Sequence, residues 1–234
     1  MSRSAPMWEQ FRNPPIVEAI LSFRVEPSAA SPSGALDRFS SCIQARFAGS
    51  ELGAPGRFEG EPVREYRSAD ARVQVRVTGS ELTVHGFRPY PGWNTLSADA
   101  EWIWQAYSEA FEPRLVTRLG LRYINRIEIP LPHERIDDYL RLFPAVDWPL
   151  TGYLARMTIP DLRSGATGLL TIAFEPNPGA DAVTAPFVLD LEVWRQGKFE
   201  LSERFIWGTF RQLREFHNRL FFESLTEQVK EQFR

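Results

Sequence analysis

A single cysteine, Cys42, leaves no partner for an internal disulfide and rules out a metal site built on clustered thiolates. Lysine is almost missing: Lys198 and Lys230 stand alone, so arginine carries nearly all the positive charge. The planar guanidinium grips carboxylates and phosphates bidentately and stacks on rings, whereas lysine acts as a point charge. A GC-rich coding sequence would produce the same bias without any binding role. No apolar run approaches the roughly 20 residues of a membrane-spanning helix. Met1–Trp8 has a cation but no apolar core, so no secretory signal is read there and a cytoplasmic protein with no membrane partner is expected. The net charge of −3 removes any global attraction to nucleic acid or anionic lipid, although a local basic stripe stays open.

The usual signatures of chemistry are missing too. His85, His133 and His217 lie in different segments without paired metal-ligand spacing. No Gly-x-Ser-x-Gly elbow occurs, and Arg163–Gly168 reads as a turn before a strand rather than a phosphate loop. Cys42 is expected to be a small buried hydrophobe of an amphipathic helix, and His217 a structural residue of an apolar one. No metal or cofactor is assigned, and the reading leans away from an enzyme.

What the chain does have is periodicity. Period-2 alternation marks strands at Pro15–Val25, Val63–Arg67, Arg72–Thr78 and Glu81–Phe87, with Gly79-Ser80 as a hairpin connection. Leu36, Phe39, Ile43 and Phe47 predict a helix over Ala35–Ala48, followed by a mobile Gly/Pro-rich connection over Gly49–Gly60. Trp104, Tyr107 and Phe111 predict a helix over Ala98–Glu112, with Ser97 as N-cap and Pro113 as stop. The order then recurs. A long strand, Leu115–Ile129, precedes a short helix around Ile136–Phe143. Strands at Tyr153–Ile159, Gly168–Phe174 and Phe187–Trp194 follow, the last closed by Gln196-Gly197. A long helix over Ser202–Phe222 and a capping box at Ser224–Glu227 end the chain. The expectation is an α+β fold: two tandem βαβββα-like repeats, 13–113 and 114–234, after a loose segment 1–12. They should form a largely antiparallel sheet covered by helices on one face.

Three blocks, Asn13-Pro-Pro-Ile-Val-Glu-Ala-Ile20, Leu119-Gly-Leu-Arg-Tyr-Ile-Asn-Arg-Ile127 and Phe222-Glu-Ser-Leu-Thr226, give the chain its resemblance to a known group. It resembles a sporadically distributed, mostly uncharacterised bacterial family of about this length. The resemblance spans nearly the whole chain and implies an accessory or defence-associated gene. It brings no catalytic residues.

Two constellations are candidate sites. Along Leu115–Ile129, alternation sends Leu115, Thr117, Leu119, Leu121, Tyr123, Ile127 and Ile129 to one face and Arg118, Arg122 and Arg126 to the other. The arginines stand about 13 Å apart, suited to successive phosphates or several carboxylates. Glu18, Glu175, Asp190 and Glu192 could instead neutralise them across the sheet. Asn125 falls on the apolar face and must find hydrogen-bond partners. The second is the loop Phe87–Asn94, where Arg88, Tyr90 and Trp93 among two prolines have the composition of a rigid exposed anchor. The functional expectation is a non-catalytic binding protein that engages another protein, with self-association left open. Nucleic-acid or nucleotide binding on the arginine face is the alternative, and an enzyme assembled only in three dimensions, for example from Arg122, Glu18 and His85, is the third.

Overall fold

A computed structural model describes residues 8–28, 34–52, 63–130, 138–141, 152–174 and 183–234, with backbone alone over 48–52. Its strands are β1 (Ile16–Glu26), β2 (Phe47–Leu52), β3 (Arg64–Ser68), β4 (Val73–Val77), β5 (Glu81–Phe87), β6 (Leu115–Pro130), β7 (Tyr153–Asp161), β8 (Ala166–Phe174) and β9 (Thr184–Phe199). Among the described residues these nine form one sheet, antiparallel at every pairing, in the order β2-β3-β4-β5-β1-β6-β9-β8-β7. The helices are α1 (Ala35–Ile43), α2 (Trp93–Phe111), α3 (Glu203–Ser224) and α4 (Glu227–Glu231). The fold is α+β on an antiparallel sheet, and among the described residues no helix is long and apolar enough to cross a membrane.

Alternation builds the core. Ala19, Leu21, Phe23 and Val25 of β1, Val73, Val75 and Val77 of β4, and Ala185–Val193 at every second position of β9 all face the helices and are buried. Each such large apolar side chain contributes about 1.5–3 kcal/mol on burial. Phe23 lies where the helices meet, 4.7 Å from the Trp104 ring of α2 and 5.1 Å from Phe210 of α3. The opposite face of the sheet has no helix over it among the described residues.

Packing is tight where α3 crosses β8. A β-carbon on Gly168 would lie 2.9 Å from Cδ1 of Leu220 and 3.3 Å from the Phe216 ring, both buried. Gly168→Val is therefore expected to cost about 1–3 kcal/mol by forcing α3 off the sheet. Urea unfolding checks this, and an unchanged midpoint would show that α3 adapts freely.

Several expectations need correction. α1 ends at Ile43 rather than Ala48, and after a turn the chain extends the sheet from Phe47 as β2. Phe47 is still buried, but from a strand. Cys42 is exposed, because the buried stripe of α1 runs through Ala35, Phe39 and Ile43 and leaves it on the solvent shoulder. α2 starts at Trp93 with Gly92 as N-cap, one turn before Ser97, since fully buried Leu96 draws that turn into the core. A bulge near Thr117 shifts the register against both neighbours and turns Val116, not Leu115 or Thr117, inward. β9 runs through Gln196-Gly197 instead of closing there. Thr226, not Ser224, caps α4, accepting from the Val229 amide. Residues 8–12 are not loose: Trp8 stacks on Phe222 and Phe11 packs on Phe221, Phe222 and Phe233. Of the helix expected around Ile136–Phe143 only 138–141 are described, with Leu140 bridged to Leu225. His133 and Glu175 lie outside the described residues.

Candidate functional site

The arginine stripe faces away from the helices, as its parity demands, but each member already holds a carboxylate. Arg122 makes a bidentate pair with Asp190, at 2.8 and 2.6 Å. Arg118 bonds Glu192 at 2.5 Å, and Arg126 bonds Glu128 at 2.8 Å. Arg118 is 8% exposed, beneath the Trp194 ring and over Gly120. A β-carbon on Gly120 would sit 2.5 Å from the Ser22 hydroxyl and 2.8 Å from that guanidinium, so the glycine makes the burial of Arg118 sterically feasible. Burial pushes the pKa of Arg118 down, whereas the Asp190 hydrogen bonds push that of Arg122 up. The stripe is a neutralised ladder.

On the same face His85 Nδ1 donates to Glu18 at 2.7 Å, and its Nε2 lies 2.8 Å from the Thr83 hydroxyl. The bond from His85 holds the Glu18 carboxyl below the usual range. Carboxylate, imidazole and hydroxyl stand in the order of an acyl-transfer triad. Thr83, however, is in mid-strand between β1 and β4, where backbone amides are committed to the ladders. No amide there is free to stabilise an oxyanion.

The helix side is different. A cavity of about 520 Å³ opens between residues 9–16, the turn at 90–95, β6 and α3. Tyr90, Trp93 and Asn125 all line it, whereas Arg88 is exposed outside it and the three stripe arginines lie on the far face. The aromatic loop is thus no free-standing anchor: Tyr90 and Trp93 are half-buried and pack against the core. Asn125, 1% exposed, donates to the Leu189 carbonyl at 3.1 Å. The Tyr90 and Tyr123 hydroxyls are 3.2 Å apart, and burial pushes the pKa of both upward, so both stay protonated.

Sequence reasoning missed the fourth wall. Arg214, His217 and Asn218 project from α3 into the cavity. Their spacing of three and four residues inside the apolar stripe Leu213, Phe216 and Leu220 was the available signal. The Arg214 guanidinium lies 5.2 Å from the Trp93 ring. His217 is 2% exposed, its ring 4.5 Å from that of Tyr123 and nearly perpendicular to it. No well-formed hydrogen bond reaches either of its nitrogens, although the Asn218 side chain and the Leu191 backbone lie near enough to favour its charged form. Burial holds its pKa at about 3, against the opposing pull of the Asn218 side chain and the Leu191 backbone, so the imidazole is neutral. Among the described residues no three His, Cys, Asp or Glu side chains converge as metal ligands would. The arrangement offers hydrogen-bond donors and acceptors among aromatic rings, with the guanidiniums of Arg12 and Arg214 in the lining. Comparison with known families and with curated proteins finds no match to this chain.

Proposed function

We propose that the chain is a non-catalytic binding protein, an interaction module of an accessory or defence-associated bacterial system, and that its recognition site is this cavity. The observation that carries the reading is the convergence of Tyr90, Trp93 and Asn125 with buried His217 around a space of about 520 Å³. That volume falls within the roughly 300–1,000 Å³ of small-molecule sites, which also combine aromatic walls with a few polar groups. The architecture supports an internally duplicated scaffold of two βαβββα-like units. Outward from β1 the sheet runs β5, β4, β3, and outward from β6 it runs β9, β8, β7. Each run is followed in the chain by a long helix, α2 or α3. Nucleic-acid binding across the stripe is the weaker reading, because a phosphate would have to displace Asp190, Glu192 or Glu128 from its arginine.

Thermal unfolding against a metabolite library tests the site. A ligand at a hundredfold its Kd adds about 2.7 kcal/mol, roughly 5–10 °C for a chain of this length. The wild type is expected to show such a shift with at least one compound class, and a Tyr90→Ala/Trp93→Ala double variant to lose it. An equal shift in the double variant, or none in the wild type, would discard the cavity as the recognition site.

A further inference from the structure

We infer that the ligand of this cavity is a small organic carboxylate with a planar apolar body, its anionic group docked on Arg214; the inference rests on the binding reading above. Charge comes first. The cationic side chains of the lining are Arg12 and Arg214, and its one carboxylate, Glu9, is bound by Arg234. Arg214 lines the cavity over the Trp93 ring and has no carboxylate partner among the described residues. A guanidinium edge matches a planar carboxylate through two parallel hydrogen bonds. No competing acid arises within the lining, because Tyr90 and Tyr123 are kept protonated by burial.

The second observation is independent of that charge. His217 lines the cavity at 2% exposure with no well-formed hydrogen bond to either nitrogen. A buried polar group left unsatisfied is costly and is normally paired. A neutral imidazole offers one N–H and one lone pair, so it suits a hydroxyl or amide on the ligand rather than a second charge. The same lining includes Trp93, Phe221 and Phe222, whose aromatic rings favour a flat apolar body.

Calorimetric titration of the intact protein with matched acid and amide pairs tests this: benzoate with benzamide, 4-hydroxybenzoate with 4-hydroxybenzamide, and indole-3-acetate with indole-3-acetamide, with inorganic phosphate alongside. At least one acid should bind tenfold or more tightly than its amide. Arg214→Gln should erase that preference, and Arg214→Lys, which keeps the charge but loses the fork, should retain part of it. His217→Leu should narrow the advantage of 4-hydroxybenzoate over benzoate while the acid preference persists. Amides binding as tightly as acids, an acid preference that survives Arg214→Gln, or phosphate binding alone would overturn the carboxylate assignment and leave the cavity as a site. Binding of no probe at all would bring down both the carboxylate and the cavity reading beneath it.

Discussion

Glu192→Leu is expected to destabilise the protein by about 2–3 kcal/mol, although Glu192 contributes nothing to the helix-side core. The effect belongs to its partner. Arg118 is enclosed by the Ser22 hydroxyl, the Trp194 ring and the backbone of Gly120, and burial already works against its charge. Removing one member of a buried pair strands the other, which typically costs about 3–5 kcal/mol. The figure here is lower because the Glu192 side chain is 26% exposed and water can replace part of it. Replacing both residues, as Arg118→Met/Glu192→Leu, should recover most of the loss by exchanging two charges for apolar contact. Arg126→Ala is the control. Its pair with Glu128 is exposed on both sides, and exposed pairs are worth about 0–1 kcal/mol. Urea unfolding of all four proteins decides it. A double variant no more stable than Glu192→Leu would show that Arg118 reaches solvent on its own.

Acid should expose His217 in the same way. The folded chain holds this imidazole at about 3 and the ordinary value is 6.5. Between those two pH values the unfolded chain carries a proton here that the folded chain does not. Stability therefore rises with pH across that window and is lost as pH falls below 6.5, with a limiting slope of about 1.4 kcal/mol per unit. From pH 7.5 to 4.5 the loss from this one group is about 2–3 kcal/mol. Glu18 adds a separate contribution lower down. Its folded pKa is depressed, so its stabilisation is present above the ordinary value of 4.5 and disappears as pH falls through the folded one. Denaturant unfolding of wild type and His217→Leu at both pH values isolates the histidine. Acidification over this range should lower the wild type's stability relative to His217→Leu by about 2–3 kcal/mol. Parallel curves would mean that the folded chain accommodates the imidazolium.

Much of the sheet was legible because a half-buried strand must alternate. Val73-Gln-Val-Arg-Val77 and Glu81–Phe87 could hardly be anything else, and both stand as strands in the structure. The errors came where a distant element overruled a local signal. Gln196-Gly197 has the composition of a turn, yet β9 continues because β6 offers its backbone alongside: Gln196 pairs with Arg118. Phe47 keeps helical spacing with Ile43, but β3 recruits it as a strand. The site was half legible for a related reason. Tyr90, Trp93 and Asn125 were singled out for their chemistry, whereas the aromatic loop reads as exposed until α3 and Trp8–Ile16 are seen against it. Arg214, His217 and Asn218 come from a helix that starts more than 70 residues after β6 ends. No local pattern ties such segments to one cavity.

The position of β6 between β1 and β9 also sets the order in which the protein can be completed. During synthesis from the N-terminus, β1 can pair with β5 at once, but its other side offers bare N–H and C=O groups until β6 emerges. β6 in turn stays open until β9 follows, a whole strand pair later. Long unpaired edges of this kind are templates for pairing with other chains. A nascent or truncated chain that stops at Pro113 would thus carry the unshielded flank of β1, eleven residues long, at its margin. The seam that unites the finished sheet is the place where an unfinished one is most prone to aggregate.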